Sequence, residues 1–298
     1  MATGKQRLVW MDRTGREIGI LGPAARSFVG IALSPDERHA AVAYAAPGEF
    51  TSDIWIFEIA RDMATRFTSD PGAEFWPVWS PDGTTIFFDA LRQGKDSFIW
   101  MKPASGTGEP RELPTPGNAY PQSVAPDGRF LLAAGRFGDK LDILKVSLDG
   151  NPRTTPLGIA AAPGVPAGIG FFSLSGDGKW IAYGSRESGR EEVYVVDYSG
   201  LMGKWRVSTD GGAMPRWRGD GRELFYLTPD WKLMSAAVST SPTFRVSRPF
   251  RVLESAPKIY DYAVTSDGKR VLAWVDAKGE KLPPTKVILN WLAAVGRK

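Results

Sequence analysis

The sequence predicts an all-β chain: a six-bladed β-propeller of four-stranded antiparallel blades. Three observations carry this. One short turn motif recurs along the 298 residues at a period of about 46. Each copy is flanked by apolar or aromatic runs of strand length. No stretch before Asn290 shows the 3.6-residue apolar period of a helix. A unit of that size with four strands cannot bury both faces alone, so such units stack into a ring of blades.

The motif reads Ser34-Pro35-Asp36-Glu37, Ser80-Pro81-Asp82-Gly83, Ala125-Pro126-Asp127-Gly128, Ser175-Gly176-Asp177-Gly178, Arg218-Gly219-Asp220-Gly221 and Thr265-Ser266-Asp267-Gly268. Its aspartates are spaced by 46, 45, 50, 43 and 47 residues. Proline presets φ, aspartate bonds the nearby backbone and glycine takes the positive-φ position, so each copy is a hairpin turn. Glu37 stands where most copies have glycine, which predicts a different turn or a mildly strained one.

Around each turn the first and second strands are short and apolar, as in Pro77-Val78-Trp79 before and Thr85-Ile86-Phe87-Phe88 after. Third strands follow at Ile54–Phe57, Phe98–Met101, Ile143–Val146, Val193–Val196 and Lys232–Met234. Fourth strands such as Ala64–Thr68 and Trp205–Ser208 close the units. The six units make one propeller domain over residues 1–298. The N-terminal Leu8–Asp12 and Gly15–Ile20 read as strands three and four of a blade whose first two strands lie near Tyr260–Val264 and Arg270–Val275. Joining the chain ends in one blade removes an open sheet edge. Lys286–Trp291 is a surplus strand candidate, which leaves a degenerate seventh blade as the alternative.

Composition narrows the chemistry. The 33 glycines and 23 prolines make up close to a fifth of the chain, far above the usual share, as a turn-rich fold requires. With no cysteine there is no disulfide, thiolate metal site or cysteine nucleophile, and one histidine excludes a His-cluster zinc site. A net charge of +4 from 37 basic and 33 acidic residues is too mixed to argue for nucleic acid. The N-terminal residues carry charges at Lys5, Arg7, Asp12, Arg13 and Arg16, unlike a secretory signal. No apolar run reaches the ~20 residues of a membrane span. A soluble chain is expected.

A catalytic triad would have to use His39, which occupies an ordinary strand position shared with Thr85 and Trp180. Ser266-Asp267-Gly268-Lys269 has the Ser-x-x-Lys spacing of acylating enzymes but is also the sixth turn motif. The run Arg186–Glu192 reads as a solvated loop of paired charges. Propeller ligands usually sit where first strands converge on the axis. The residues preceding each motif place Glu74, Trp76, Tyr120, Gln122, Met214, Arg216, Tyr260 and Asp261 at the channel mouth, with Asn118 nearby. Their aromatics suggest an apolar-walled pocket with a few polar groups. Glu74 and Asp261, with Asn118, are the candidate metal ligands, too few for more than a weak calcium site. The expected cofactor is therefore none, or a weakly held calcium ion in the channel.

The strings LVWMDRTGREIGIL, FWPVWSPDG, YGSRESGREEVYVVD, RWRGDGRELFYL, YAVTSDGKRVL and VILNWL extend the turn motif. With it, they give the chain its likeness to a family. It resembles TolB-type β-propellers, and within them the extracytoplasmic propeller C-terminal to the kinase domain of certain bacterial serine/threonine protein kinases. No kinase motif is present in this sequence. The resemblance implies a ligand- or protein-binding sensor module that takes a small molecule, peptide or protein at the channel mouth. As part of such a kinase it would be extracytoplasmic, and otherwise cytoplasmic. The alternative is a calcium-dependent hydrolase of esters, lactones or organophosphates, its channel ion polarising the substrate.

Overall fold

The structure, a computed structural model, describes residues 4–25, 28–45, 51–91, 96–160, 171–198, 203–240, 243–253 and 257–281. Six antiparallel sheets surround one axis. The first blade runs Phe28–Leu33, His39–Tyr44, Asp53–Glu58 and Met63–Arg66 from axis to rim. The next three repeat this plan, with inner strands Ala73–Trp79, Tyr120–Val124 and Phe172–Leu174. In the fifth blade, from inner strand Ala213–Trp217, the outermost strand is split into Arg245–Val246 and Phe250–Arg251, both paired with Leu233–Ser239. Pro249 lies in the break, where its missing N–H could not serve a ladder.

The ring closes as the sequence predicts. Ile259–Val264 and Arg270–Lys281 are completed by Gly4–Asp12 and then Glu17–Ala25 in the sixth sheet. Val9 lies opposite Ala273 and Trp10 opposite Leu272. Lys286–Trp291, the surplus strand candidate, lies outside the described residues.

Burial explains the apolar second strands. Each blade packs on two neighbours, so alternate residues of one strand serve different interfaces. Ala41 and Ala43 meet Ile86, Phe88 and Ala90 of the second blade. Ala40, Val42 and Tyr44 face Leu8, Trp10 and Leu272 of the sixth. The same division produces the other four inter-blade cores, and both faces of the strand become hydrophobic.

The turns behave as their residues dictate. Asp82 accepts hydrogen bonds from the Ser80 hydroxyl at 2.5 Å and the Thr84 N–H at 3.0 Å, while the Ser80 oxygen accepts the Thr85 N–H at 2.9 Å. Gly83 has φ of 71° and Glu37 has φ of 56°, so the first copy keeps the turn and carries the strain in a side-chain-bearing residue. Glu37 is also used across the ring joint: its carboxylate accepts the Ser266 N–H at 2.5 Å.

A second feature repeats on the inner strands. Their pairing breaks register between Phe28 and Ile31, Phe75 and Val78, Pro121 and Ser123, Ala213 and Arg216, and Ile259 and Asp261. These are β-bulges, and each re-aims the residues before it. Gly30, Trp76 and Met214, all six positions before a motif aspartate, have φ of 99°, 50° and 55°.

Candidate functional site

The six inner strands lead to the motif turns and enclose an axial cavity of about 570 Å³. All six blades contribute to its lining. At one end stand Trp76, Gln122 and Phe171, and at the other the turn residues Pro35, Pro81, Pro126, Gly176 and Gly219. Trp76 of the second blade and Phe171, which leads into the fourth, meet edge to face at 5.0 Å between ring centroids, so aromatic rings narrow that end. Gly30 is required there: a Cβ would lie 3.0 Å from the Trp76 Cα.

The walls are tied together by side chains that reach between blades. The Trp79 indole donates to the Ala32 carbonyl at 3.2 Å, and the Trp217 indole to the Ser173 carbonyl at 3.1 Å. The Ser123 hydroxyl oxygen accepts the Leu174 N–H at 3.3 Å. Among the described residues, Arg216 is the one ionisable residue in the lining. Its Nη2 donates to Asp261 at 3.0 Å, and its guanidinium lies 5.4 Å from the Tyr262 ring centroid.

Asp261 itself is 1% exposed and does not line the cavity. It also accepts the Tyr262 N–H at 2.7 Å and the Ile31 N–H at 3.2 Å. Burial pushes its carboxyl above the usual range, against the opposing pull of Arg216 and these hydrogen bonds.

Among solved structures, the putative TolB of Agrobacterium tumefaciens superposes with a TM-score of 0.67 at 15% identity, covering 93% of this chain and 99% of that one. TolB of Acinetobacter baumannii gives 0.60 at 18% identity, covering 84% and 67%. The fold is that of a TolB-type β-propeller. No protein-family model matches the chain. An uncharacterized peptidase of Bacillus subtilis, YuxL, is 31% identical over 91 residues, 30% of this chain and 14% of that protein's length.

In this propeller the residues expected at the mouth divide into three groups. Trp76, Gln122 and Arg216 line the cavity. Glu74, Met214 and Asp261 are buried in the walls. Glu74 is 0% exposed; its Oε2 accepts the Thr68 hydroxyl at 3.1 Å and its backbone pairs with Ser52, which ties the first blade to the second. The Met214 side chain packs in the core between the fifth and sixth blades, and its carbonyl accepts the Tyr262 hydroxyl at 2.7 Å.

Tyr120 and Tyr260 form the third group, outside the cavity lining. Burial raises the Tyr120 phenol, with the charges of Asp89 and Asp96 adding to it. Tyr260 donates to Asp276 at 3.0 Å and packs between Trp231 and Trp274. Asn118 donates to Asp96 at 2.7 Å.

The remaining candidates are absorbed by the fold. Ser266 and Lys269 act as turn residues, with the Lys269 N–H bonding Asp267 at 2.9 Å. In the Arg186–Glu192 loop, Arg190 bonds Glu192 at 2.6 Å and Arg186 lies 3.8 Å from Glu191. Sequence reasoning missed the wall positions Ser123, Ser173, Trp79 and Trp217. The two tryptophans share one offset, three residues before the motif aspartate, and that signal could have found them.

Calcium does not fit the donors at hand. Among the described residues no three histidine, cysteine, aspartate or glutamate side chains converge. Asp261 is held by a guanidinium and two backbone amides, and Glu74 by Thr68, with neither lining the channel.

Proposed function

We propose that the chain is a ligand- or protein-binding module, the sensing part of a larger signalling protein, whose ligand enters the axial channel. One observation carries the reading: a cavity of about 570 Å³ on the axis, walled by all six blades. Its mixed lining, with the apolar side chains of Ile31, Val78 and Val124 beside the polar groups of Gln122, Ser123, Ser173 and Arg216, supports a small-molecule or peptide-end site. The motif-level likeness to kinase-borne propellers supports the sensing role. The stretch shared with the Bacillus subtilis peptidase is compatible with such a module inside a longer protein.

Trp76, Trp79 and Trp217 in the lining make intrinsic fluorescence the natural readout. A mixed panel of short peptides and aryl acids and amides should give saturable fluorescence changes for some members. Replacing Gln122 by alanine should weaken those responses without altering the melting temperature. Hydrolysis of p-nitrophenyl acetate should be insensitive to a chelator. Chelator-sensitive turnover, lost on Glu74→Gln with Asp261→Asn, would favour the metal-dependent hydrolase instead.

A further inference from the structure

We infer that the channel selects a ligand bearing one carboxylate attached to an apolar group, with Arg216 as the anion-binding residue. This rests on the channel-binding reading and adds the chemistry of the ligand. The positions four residues before the motif aspartates fall at one level of the channel and all line it: Ala32, Val78, Ser123, Ser173, Arg216 and Ala263. Three successive blades, the third to the fifth, present hydroxyl, hydroxyl and guanidinium. The sixth, first and second present only methyl and isopropyl groups. The channel is therefore amphipathic around its circumference.

Arg216 is held ready for an anion. Asp261 and the Tyr262 ring fix it, and its side chain is 31% exposed in a residue that lines the cavity. Its Nη1 and Nε have no hydrogen-bond partner among the described residues, and Nε is buried. The Ser123 oxygen already accepts the Leu174 N–H, which leaves its own hydrogen to donate. The Gln122 amide also lines the cavity. Because Asp261 offsets much of the guanidinium charge, a singly charged carboxylate suits the site better than a doubly charged phosphate. Trp76 and Phe171, together with the methyl-lined side, suit the apolar portion. A free aryl acid and the C-terminus of a peptide both offer this chemistry.

The probes are 4-phenylbutanoate against 4-phenylbutanamide, and the tripeptide Ala-Ala-Phe as free acid against its C-terminal amide. Each is titrated by tryptophan fluorescence into the full chain. The free acid of at least one pair should bind about ten-fold or more tightly than its amide, the gain typical of a charge-assisted hydrogen bond. The pair that discriminates identifies the source. In Arg216→Gln combined with Asp261→Asn, which leaves no orphaned buried charge, acid and amide should bind alike. Equal binding of acid and amide by the wild type would overturn the inference while leaving channel binding intact. Discrimination that survives the double replacement would also overturn it, as would the absence of binding by all four probes. A response to other members of the wider panel would then still support the channel reading.

Discussion

Asp89 stands on the second strand of the second blade, 0% exposed. Neither of its oxygens makes a well-formed hydrogen bond among the described residues, although Ser97 lies close enough to soften the effect. Burial pushes its carboxyl well above the ordinary 3.8, and the charge of Glu74 adds to that. The folded state therefore binds a proton that the unfolded chain releases near pH 4. Stability should fall as pH rises from about 4 to the raised folded pKa, and stay low above it. Asp89→Asn should raise the melting temperature at pH 7 and leave it nearly unchanged at pH 4. Thermal melts across that range check this. An unchanged melting temperature at pH 7 would show that the carboxylate is solvated.

Asp261 differs from Asp89 although both are buried acids, because Arg216 and two backbone N–H groups meet it. Replacing Arg216 alone orphans that charge, which costs up to about 3–5 kcal/mol for a fully buried pair, less here because Arg216 is partly exposed. Removing both partners together should cost less than removing Arg216 alone. Urea unfolding of the single and double variants measures the difference.

Among the elements, the motif turns are graded by how many groups their aspartates satisfy. Asp82 accepts from the Ser80 and Thr84 hydroxyls and the Thr84 N–H, whereas Asp127 follows Ala125 and accepts the Arg129 N–H. Asp82→Ala should cost about 1–2 kcal/mol and Asp127→Ala under about 1. Equal shifts in urea midpoint would contradict the grading.

These turns and the strands after them were legible because their signal is local: turn chemistry, then a run apolar on both faces. The inner strands were less legible. Their bulges fall at Trp76 and Met214, and no residue type announces positive φ there as Gly30 does. The alternation slips at that point. Hence Glu74, placed at the mouth by counting, turns into the wall, as Asp261 does, while Ser123, beyond its bulge, and Ser173 line the cavity. The Asp261–Arg216 pair joins residues 45 apart in sequence, a relation only the closed ring creates.

The whole molecule depends on that closure. Removing residues 1–22 would strip Gly4–Asp12 and most of Glu17–Ala25 from the sixth blade and expose the edge of Arg270–Lys281. It would also remove Arg13, which bridges to Glu223 of the fifth blade at 2.6 Å. The truncated chain should aggregate on size-exclusion chromatography, since an unpaired strand edge recruits other chains. A monomer with an unaltered melting temperature would contradict this.

Closure is also what gives the axial cavity a complete wall, so it is the claim to test most directly. The chain has no cysteine, which makes an introduced pair unambiguous. Val9→Cys with Ala273→Cys places two thiols on facing residues of Gly4–Asp12 and Arg270–Lys281. Under mild oxidation the account predicts one intramolecular disulfide, seen as a faster band on a non-reducing gel that reverts with reductant. Two thiols that stay free, or that pair only between molecules, would show that the chain ends do not share a blade.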